Sequence, residues 1–441
     1  MRESNISIKD KIQALAEKSV SFNKYQIKEK DSFFINSSNL VNDLKNKKEL
    51  FYPLAQSTWD YTEYNAIIDQ LYTGNLTMGE KVENFEKSFA ESFGVKHAIM
   101  VNSGSSANLL IVAALVLLSK YDFKKGDEII VPSLGWSTSY APFTQYGLKL
   151  KFVDVDYETL NIDPEKINNA ISKKTKAILA INILGNPVEF KKIKEICDTN
   201  KLLLIEDNCE SLGAKYGKRY TGNFGVAGSH SFFFSHHIQT IEGGMVTTND
   251  RDICEYIRSL RSHGWTRDSL EKNSFSKSPI AKFKNSFKFI LPGYNIRPNE
   301  LNGVLGLTQL QKFPNLLEAR KENARIFKKL FDNQTYCSIQ KCDHDSSWYG
   351  FSILLEGALQ NKRDYIINEL YNNGIETRPI LTGNFLKNPV CNFMNYEISG
   401  ILENTENLDR RGFYVGNSHV NLENQLFKLA EILGKLNKNI N

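Results

Sequence analysis

The sequence predicts an α/β fold, with a large domain built on a mainly parallel, seven-stranded sheet between helices and a small C-terminal α+β domain. Short apolar runs rich in β-branched residues alternate with longer helical segments from about Phe51 to Asp250, which is typical of βαβ units. The length of 441 residues allows two domains, and contents of 41% hydrophobic and 24% charged residues are those of an ordinary globular protein.

Seven apolar runs are the predicted strands of the large sheet. They cover residues 97–101, 128–131, 150–155, 176–182, 202–207, 230–234 and 244–249. Helices are predicted between them at 105–119, 137–146, 163–172 and 189–199. We interpret Ser105 and Asp163 as N-caps, because their side chains can accept the free backbone N–H groups of a helix start, and Pro164 at the first helical position supports the second cap.

Three regions are predicted along the chain. Residues 1–50 are rich in polar residues and are interpreted as an N-terminal arm with one helical pattern from Ile8 to Lys18. Residues 51–310 form the predicted large domain and 311–441 the small C-terminal domain, connected by a long charged helical pattern from Asn299 to Asp332. The small domain is expected to contain strands near 348–356 and 375–379 and helices near 360–373 and 421–437.

Composition and charge argue against several classes of protein. The net charge of +5 is small for this length and forms no basic stripe, so no nucleic-acid partner is expected. The longest apolar run, Leu109 to Leu118, is too short to span a membrane, and the charged N-terminus does not resemble a signal peptide, so a cytoplasmic location is expected. Six cysteines without a CxxC pair predict neither a zinc site nor a redox dithiol.

Polar groups follow three of the predicted strands, where ligands of an open parallel sheet gather. The first segment, 102–108, opens a helix with small residues, so its backbone N–H groups and the hydroxyls of Ser105 and Ser106 could hold a phosphate; an ordinary tight turn is the alternative. The second, Glu206 to Glu210, places an acid at a strand end, which could pair with a protonated ring nitrogen or could cap a helix.

The third segment runs from Ser231 to His237 and is followed by the turn Glu242-Gly243-Gly244. The two adjacent histidines, His236 and His237, could belong to a metal site. Neighbouring residues rarely bind one ion together, however, and no third ligand lies nearby in the sequence, so no metal is expected.

In this order, the three segments resemble the sugar-nucleotide branch of the fold type I, aspartate-aminotransferase-like superfamily, the DegT/StrS aminotransferase-like enzymes that use pyridoxal phosphate (PLP). The resemblance runs from about Tyr52 to the C-terminus. It also includes the strings GDEIIVPSLGWSTSYAP at 126–142, VDVDYETLNID at 153–163, ILGNP at 183–187, GYNIRPNELNGVLGLTQL at 293–310 and RPILTGNFLKN at 378–388.

One departure from the family pattern changes the expected reaction. The family's strand ends in a lysine that binds the cofactor covalently, whereas the aligned string here, SFFFSH, ends in His236. Imidazole does not form a stable covalent link of this kind but exchanges protons near neutral pH, so the resemblance implies noncovalent PLP or pyridoxamine phosphate (PMP) and His236 as the catalytic base.

The implied activity is a C3-dehydration, with L-glutamate as the amino donor that forms PMP. The substrate would be a GDP-linked 4-keto-6-deoxy sugar of the mannose or heptose type. The products would be ammonia and a 3,6-dideoxy-4-keto sugar nucleotide for surface polysaccharide such as lipopolysaccharide or capsule.

The resemblance also implies roles for the cofactor-binding residues. Asp207 would pair with the ring nitrogen, Glu210 would support the ring hydroxyl or the base, and Trp136 would stack on the ring, with a core tryptophan as the alternative. The backbone of Gly104 and Ser105 and the hydroxyl of Ser231 would bind the phosphate, as the family pattern implies.

Other implied roles concern the partners. Asn295 would reach the site from a second subunit, which implies a homodimer with shared active sites. Glu376, Arg378 and Asn384 would meet the sugar nucleotide, since a guanidinium binds phosphate or ketone oxygen well; an ordinary surface arginine is the alternative.

Three other readings remain open at this point. A histidine subgroup acting on CDP-linked sugars carries an iron–sulfur cluster, but no cysteine lies between Trp265 and Phe289, so no iron–sulfur cluster is expected. A PLP-dependent sugar-nucleotide aminotransferase would yield an amino sugar instead. A non-catalytic sugar-nucleotide-binding relative would have no use for Asp207, Trp136 and Ser231, which are retained.

Overall fold

The computed structural model describes residues 50–266, 280, 283 and 287–440. The predicted arm up to residue 49, with its helical pattern from Ile8 to Lys18, lies outside them. The helices within the described residues are α1 Tyr61–Thr73, α2 Glu80–Phe93, α3 Gly104–Leu117, α4 Ser137–Gln145, α5 Pro164–Ala170, α6 Phe190–Asn200, α7 Arg251–Arg261, α8 Glu300–Phe331, α9 Arg363–Asn372, α10 Glu403–Arg411 and α11 Glu423–Ile440. The strands are β1 His97–Val101, β2 Glu128–Pro132, β3 Lys149–Val153, β4 Thr175–Ile181, β5 Leu203–Asp207, β6 Lys215–Tyr216, β7 Arg219–Tyr220, β8 Ala227–Ser231, β9 Gly244–Thr248, β10 Cys337–Ile339, β11 Gly350–Leu355, β12 Thr377–Arg378, β13 Tyr396–Ile398 and β14 Gly412–Gly416.

The large sheet has eight strands in the order β1-β9-β8-β5-β4-β2-β3-β13, with helices packed around it. Only the β1–β9 and β9–β8 pairs are antiparallel, so the predicted mainly parallel α/β fold is confirmed. The prediction of seven strands missed β13, which comes from the C-terminal part of the chain. Lys151 donates to Glu397 of β13 across 2.7 Å, and this three-residue strand is too short to show a period in the sequence.

The predicted strand at 230–234 is shifted in the structure, where β8 covers Ala227–Ser231. A Cβ atom on Gly228 would stand 2.4 Å from the Gly222 carbonyl oxygen, so only glycine fits at this position of β8. Phe233 and Phe234 are 46% and 45% exposed, and they begin the loop that carries His236. The predicted strand was placed three residues too late, because the apolar residues at 232–234 were assigned to the strand rather than to the loop.

The two predicted N-caps have different outcomes. Asp163 caps α5, and its side chain accepts the backbone N–H of Glu165 at 2.8 Å. Ser105 is not a cap, because the extended residue before α3 is Ser103, whose hydroxyl accepts the N–H of Ser106 at 3.1 Å. Ser105 instead lies in the first turn of α3 and shares a hydrogen bond with Thr138 at the start of α4, at 2.8 Å.

A second sheet, β10-β11-β14-β12, is antiparallel and packs with α8, α9 and α11 around its own apolar core. Within this core the rings of Phe327 and Phe351 stack at 4.4 Å. The predicted α+β character of the C-terminal part is thus present. The boundary proposed between residues 310 and 311 falls inside the continuous helix α8 and remains a prediction. Across the part of the chain that the structure describes, no helix combines the length and apolarity needed to cross a membrane.

Candidate active site

A buried carboxylate marks the carboxyl end of the sheet. Asp207 is the last residue of β5 and is 5% exposed. Its Oδ2 atom accepts hydrogen bonds from Asn108 Nδ2 at 2.8 Å and Ser139 Oγ at 2.6 Å, and its Oδ1 atom accepts the N–H of Cys209 at 3.1 Å. Three hydrogen-bond donors thus converge on one carboxyl group at the strand end.

Asn108 and Ser139 are site residues that the sequence analysis did not assign. Both lie within strings that carried the family resemblance, the helix start at 102–108 and the segment 126–142. Asn108 is on α3 and Ser139 on α4, so each reaches Asp207 from a different helix. Their proximity to β5 depends on helix packing, and spacing along the chain contains no signal of it.

The start of α3 lies against the end of β8. A Cβ atom on Gly104 would stand 2.7 Å from Ser231 Cβ and 2.9 Å from Cys209 Sγ, so only glycine fits there. Free N–H groups at a helix start and a nearby hydroxyl, here that of Ser231, form an ordinary binding place for a phosphate. The structure thus brings Ser231 next to Gly104 and the start of α3, although it lies far from them in the sequence.

Trp136 is 55% exposed and directly precedes α4. The alternative of a core tryptophan is therefore wrong. The neighbouring Gly135 carbonyl accepts a hydrogen bond from Thr382 Oγ1 at 2.8 Å, which fixes the C-terminal segment next to this loop. A large exposed indole three residues before Ser139, which hydrogen-bonds to Asp207, is suited to stack on a flat ligand.

His236 follows β8 in the loop that the aromatic residues begin. It is partly buried, and desolvation lowers the pKa of its imidazole to about 4, with the charge of Asp207 acting in the opposite direction. Its Nδ1 atom has no hydrogen-bond partner among the described residues. The ring of Tyr349 lies 5.2 Å away between centroids, at 37° between the ring planes. The imidazole is therefore neutral at neutral pH and able to accept a proton.

His237 has a structural role instead. It is 1% exposed, and its Nε2 atom makes a hydrogen bond with the Ser347 carbonyl at 3.0 Å. No group of three or more His, Cys, Asp or Glu side chains able to hold a metal occurs within the described residues.

The two glutamates that flank Asp207 also differ in their surroundings. Glu206 is fully buried and accepts the backbone N–H groups of Gly222 and Phe224 at 2.6 Å and 2.5 Å, so it holds the turn before β8. Within the part of the chain that the structure describes, Glu210 accepts a single hydrogen bond, from the N–H of Leu184 at 2.9 Å, and burial raises the pKa of its carboxyl to about 8. A protonated Glu210 can donate a hydrogen bond into the site at neutral pH.

The predicted substrate residues occupy two different surroundings. Arg378 lies exposed on β12 and pairs with Glu376 at 3.0 Å, and its Cα partner on β14 is Tyr414, whose ring centroid is 6.5 Å from that of Tyr349. Asn384 is buried, and its amide nitrogen donates to Glu406 Oε1 at 2.7 Å. The Arg378 side chain is therefore open to a ligand, whereas the Asn384 amide already has a partner.

Asn295 is exposed on the segment before α8, and its Oδ1 atom accepts a hydrogen bond from Arg297 Nε at 3.0 Å. An exposed position agrees with a residue that reaches a second subunit. Its contribution to a neighbouring site remains a prediction.

Comparison with known proteins identifies the family. The model of the DegT/DnrJ/EryC1/StrS aminotransferase family matches residues 58–426. The chain belongs to this family. The fold type I architecture and the resemblance drawn from the sequence are both confirmed.

Relatives within the DegT/DnrJ/EryC1/StrS family are similar over most of the chain. A GDP-4-keto-6-deoxy-D-mannose 3-dehydratase from Yersinia pseudotuberculosis is 48% identical over 386 residues, which cover 87% of this chain and 98% of the relative. The structure of an E. coli enzyme of the same name with bound hydrated PLP is 46% identical, with a TM-score of 0.84 over 87% of this chain and all of that chain. A GDP-4-keto-6-deoxymannose-3-dehydratase structure with a trapped PLP-glutamate geminal diamine is also 46% identical, with a TM-score of 0.83 over the same shares.

Proposed function

We propose that this protein is a PLP/PMP-dependent C3-dehydratase of a GDP-linked 4-keto-6-deoxy sugar, of the mannose or heptose type, with L-glutamate as the amino donor. The observation that carries the proposal is a neutral imidazole, His236, on the loop where the family pattern has its lysine, together with the buried carboxylate of Asp207. The dehydratase names and the PLP and PLP-glutamate ligands of the similar proteins support the same reaction.

The residues at the sheet edge fit the cofactor. Asp207 would bind the ring nitrogen with its negative charge, Trp136 would cover a ring face, and Glu210 would bind the ring hydroxyl. The phosphate would lie at the start of α3, against Gly104, Ser105 and Ser231, where a glycine is sterically required. When bound as PMP, the cofactor supplies the amine that condenses with the C4 ketone and a ring that withdraws the electron pair left by proton removal.

His236 supplies the proton transfer. Because burial keeps its imidazole unprotonated at neutral pH, a ring nitrogen can take the proton whose removal drives loss of the C3 hydroxyl as water. A lysine at the same place would give its proton back to the sugar carbon and produce an amino sugar, which is the aminotransferase outcome.

Substrate and assembly follow from the exposed side of the site. Glu376, Arg378 and Asn384 would meet the sugar nucleotide, with Arg378 on its phosphate or ketone oxygen. We also propose a homodimer in which Asn295 enters the partner's site. A cytoplasmic location remains a prediction.

A product analysis tests the proposed function. The purified chain is incubated with PLP, L-glutamate and GDP-4-keto-6-deoxymannose, and in parallel with the heptose analogue, and the product mass and free ammonia are measured. A sugar nucleotide that has lost one oxygen, with ammonia released, is expected. Gain of an amine would identify an aminotransferase, and no product with either sugar would favour a non-catalytic relative.

A further inference from the structure

Tyr349 contacts the histidine loop at consecutive residues. Its hydroxyl shares a hydrogen bond with Ser235 Oγ at 2.9 Å, and its ring lies 5.2 Å from that of His236 and 6.1 Å from that of His237. Tyr349 directly precedes β11 of the second sheet and lies more than a hundred residues beyond the loop. The base is therefore enclosed by a part of the chain that does not carry it.

The backbone of Tyr349 is fixed by two other elements. Its N–H donates to the Leu184 carbonyl at 3.0 Å, just after β4. Its carbonyl accepts from Arg320 Nη1 of α8 at 3.3 Å, and Arg320 is only 3% exposed. These two hydrogen bonds hold the backbone of Tyr349 in place, and the hydrogen bond with Ser235 holds the hydroxyl at the other end of the side chain.

Ser347, two residues before Tyr349, also connects this segment to the loop after β4 and to the histidine loop. The Ser347 N–H donates to the Gly185 carbonyl at 3.0 Å, and the Ser347 carbonyl accepts from His237. Leu184 and Trp348 both adopt left-handed backbone, at φ 52° and 51°, and such strain persists only where the surrounding contacts enforce it. Strain at both ends of this contact indicates that the position of Tyr349 is closely defined.

We propose that Tyr349 is a positioning residue for His236, a role that rests on the proposed function. Its ring limits rotation of the imidazole and excludes water from one face, and its hydroxyl fixes the loop through Ser235. Burial raises the pKa of the Tyr349 hydroxyl above its ordinary value, so the tyrosine keeps its proton and does not itself act as the base. Loss of the ring should therefore slow proton removal and hydrate the imidazole, while the sugar nucleotide still binds.

The test compares Tyr349→Ala with the conservative Tyr349→Phe, with Tyr371→Ala as a control on an exposed tyrosine of α9. The titration of His236 is followed by NMR in the apoprotein and assigned with His236→Asn. In Tyr349→Ala we expect the pKa of His236 to rise by about one unit. We also expect kcat for deoxygenation to fall by about tenfold or more, with KM for the GDP-sugar changed less than about twofold. Tyr349→Phe should restore the titration and most of kcat, and Tyr371→Ala should change neither.

An unchanged His236 titration or an unchanged kcat in Tyr349→Ala would overturn the proposal, as would a change confined to KM. If that variant does not fold, Tyr349→Leu serves in its place, and thermal melting shows which variants are folded. A shifted titration in a protein that deoxygenates no GDP-sugar would support the contact and contradict the proposed function, so the two failures are distinguishable.

Discussion

Asp207 and Arg378, the charged groups assigned to cofactor and substrate, have very different surroundings. Asp207 is buried at the end of β5 and receives hydrogen bonds from Asn108, Ser139 and the Cys209 backbone. The Arg378 side chain is 55% exposed and hydrogen-bonds to Glu376 and to the neighbouring Thr377 carbonyl. The cofactor side is thus formed in advance by packing, whereas the substrate side is solvated until a ligand arrives. Substitutions at Asp207 should therefore lower the rate of the reaction, and substitutions at Arg378 should mainly weaken the binding of the substrate.

The largest effect is expected at His236. The variant His236→Lys should lose deoxygenation by about a thousandfold or more and should acquire a cofactor link that borohydride traps on the protein, because the new amine can bind the aldehyde. Product mass and the mass of the reduced protein measure both effects. His97→Lys, at the start of the edge strand β1, is the matched control and should show neither. A trapped link in the unsubstituted protein would contradict the role given to His236.

Asp207→Asn should have the next largest effect, because the amide removes the negative charge but keeps the shape. We expect kcat to fall by about a hundredfold. The absorbance spectrum of the bound cofactor should shift as its ring nitrogen loses its proton. Asp163→Asn is the control, since asparagine caps a helix as well as aspartate does. Activity within about twofold of the parent in Asp207→Asn would place the ring nitrogen elsewhere.

The pH dependence of the stability of the apoprotein tests the burial of His236 and Glu210. Burial lowers the pKa of His236 to about 4, below the value near 6.5 of an unfolded histidine. As pH falls, His236 therefore takes up a proton in the unfolded chain before it does so in the folded chain. The free energy of unfolding contains its full contribution above about pH 6.5 and loses it as pH falls toward 4. Glu210, with its pKa raised to about 8, acts in the opposite sense: its contribution is present below about pH 4.5 and is lost as pH rises through 8.

Urea unfolding at pH 7 and pH 5 measures the contribution of His236. Between these two values the parent should lose more free energy of unfolding than His236→Asn, by at most about 2 kcal/mol. The comparison isolates one histidine because the glutamates are the same in both proteins. Equal losses would show that the imidazole is not desolvated in the folded chain.

The smallest effect is expected on the exposed side. Arg378→Ala should raise KM for the GDP-sugar by about tenfold, the equivalent of one charged hydrogen bond, with little change in kcat. Arg325→Ala removes an arginine of similar exposure on α8 and should leave both constants unchanged. A large loss of kcat in Arg378→Ala would mean that the substrate side also takes part in the reaction.

The sequence by itself determined the α/β alternation, the acid at the end of β5, the small residues at the start of α3 and the histidine in the loop after β8. Each of these features is local, because strand and helix periodicity and the residues at strand ends can be recognised within a short stretch of sequence. Prediction from local sequence was wrong at Phe233 and Phe234, which are apolar but lie in an exposed loop after the strand. It also failed at Ser105, because only the backbone geometry shows that the extended residue is Ser103.

Tertiary structure alone decided which distant groups meet. Asn108 and Ser139 reach Asp207 because two helices pack on one strand end, and Tyr349 reaches His236 because the second sheet is hydrogen-bonded to the loop after β4. The strand β13 joins the large sheet from the C-terminal part of the chain in the same way. Spacing along the chain does not contain these contacts, since they depend on how whole elements bury their apolar faces against one another.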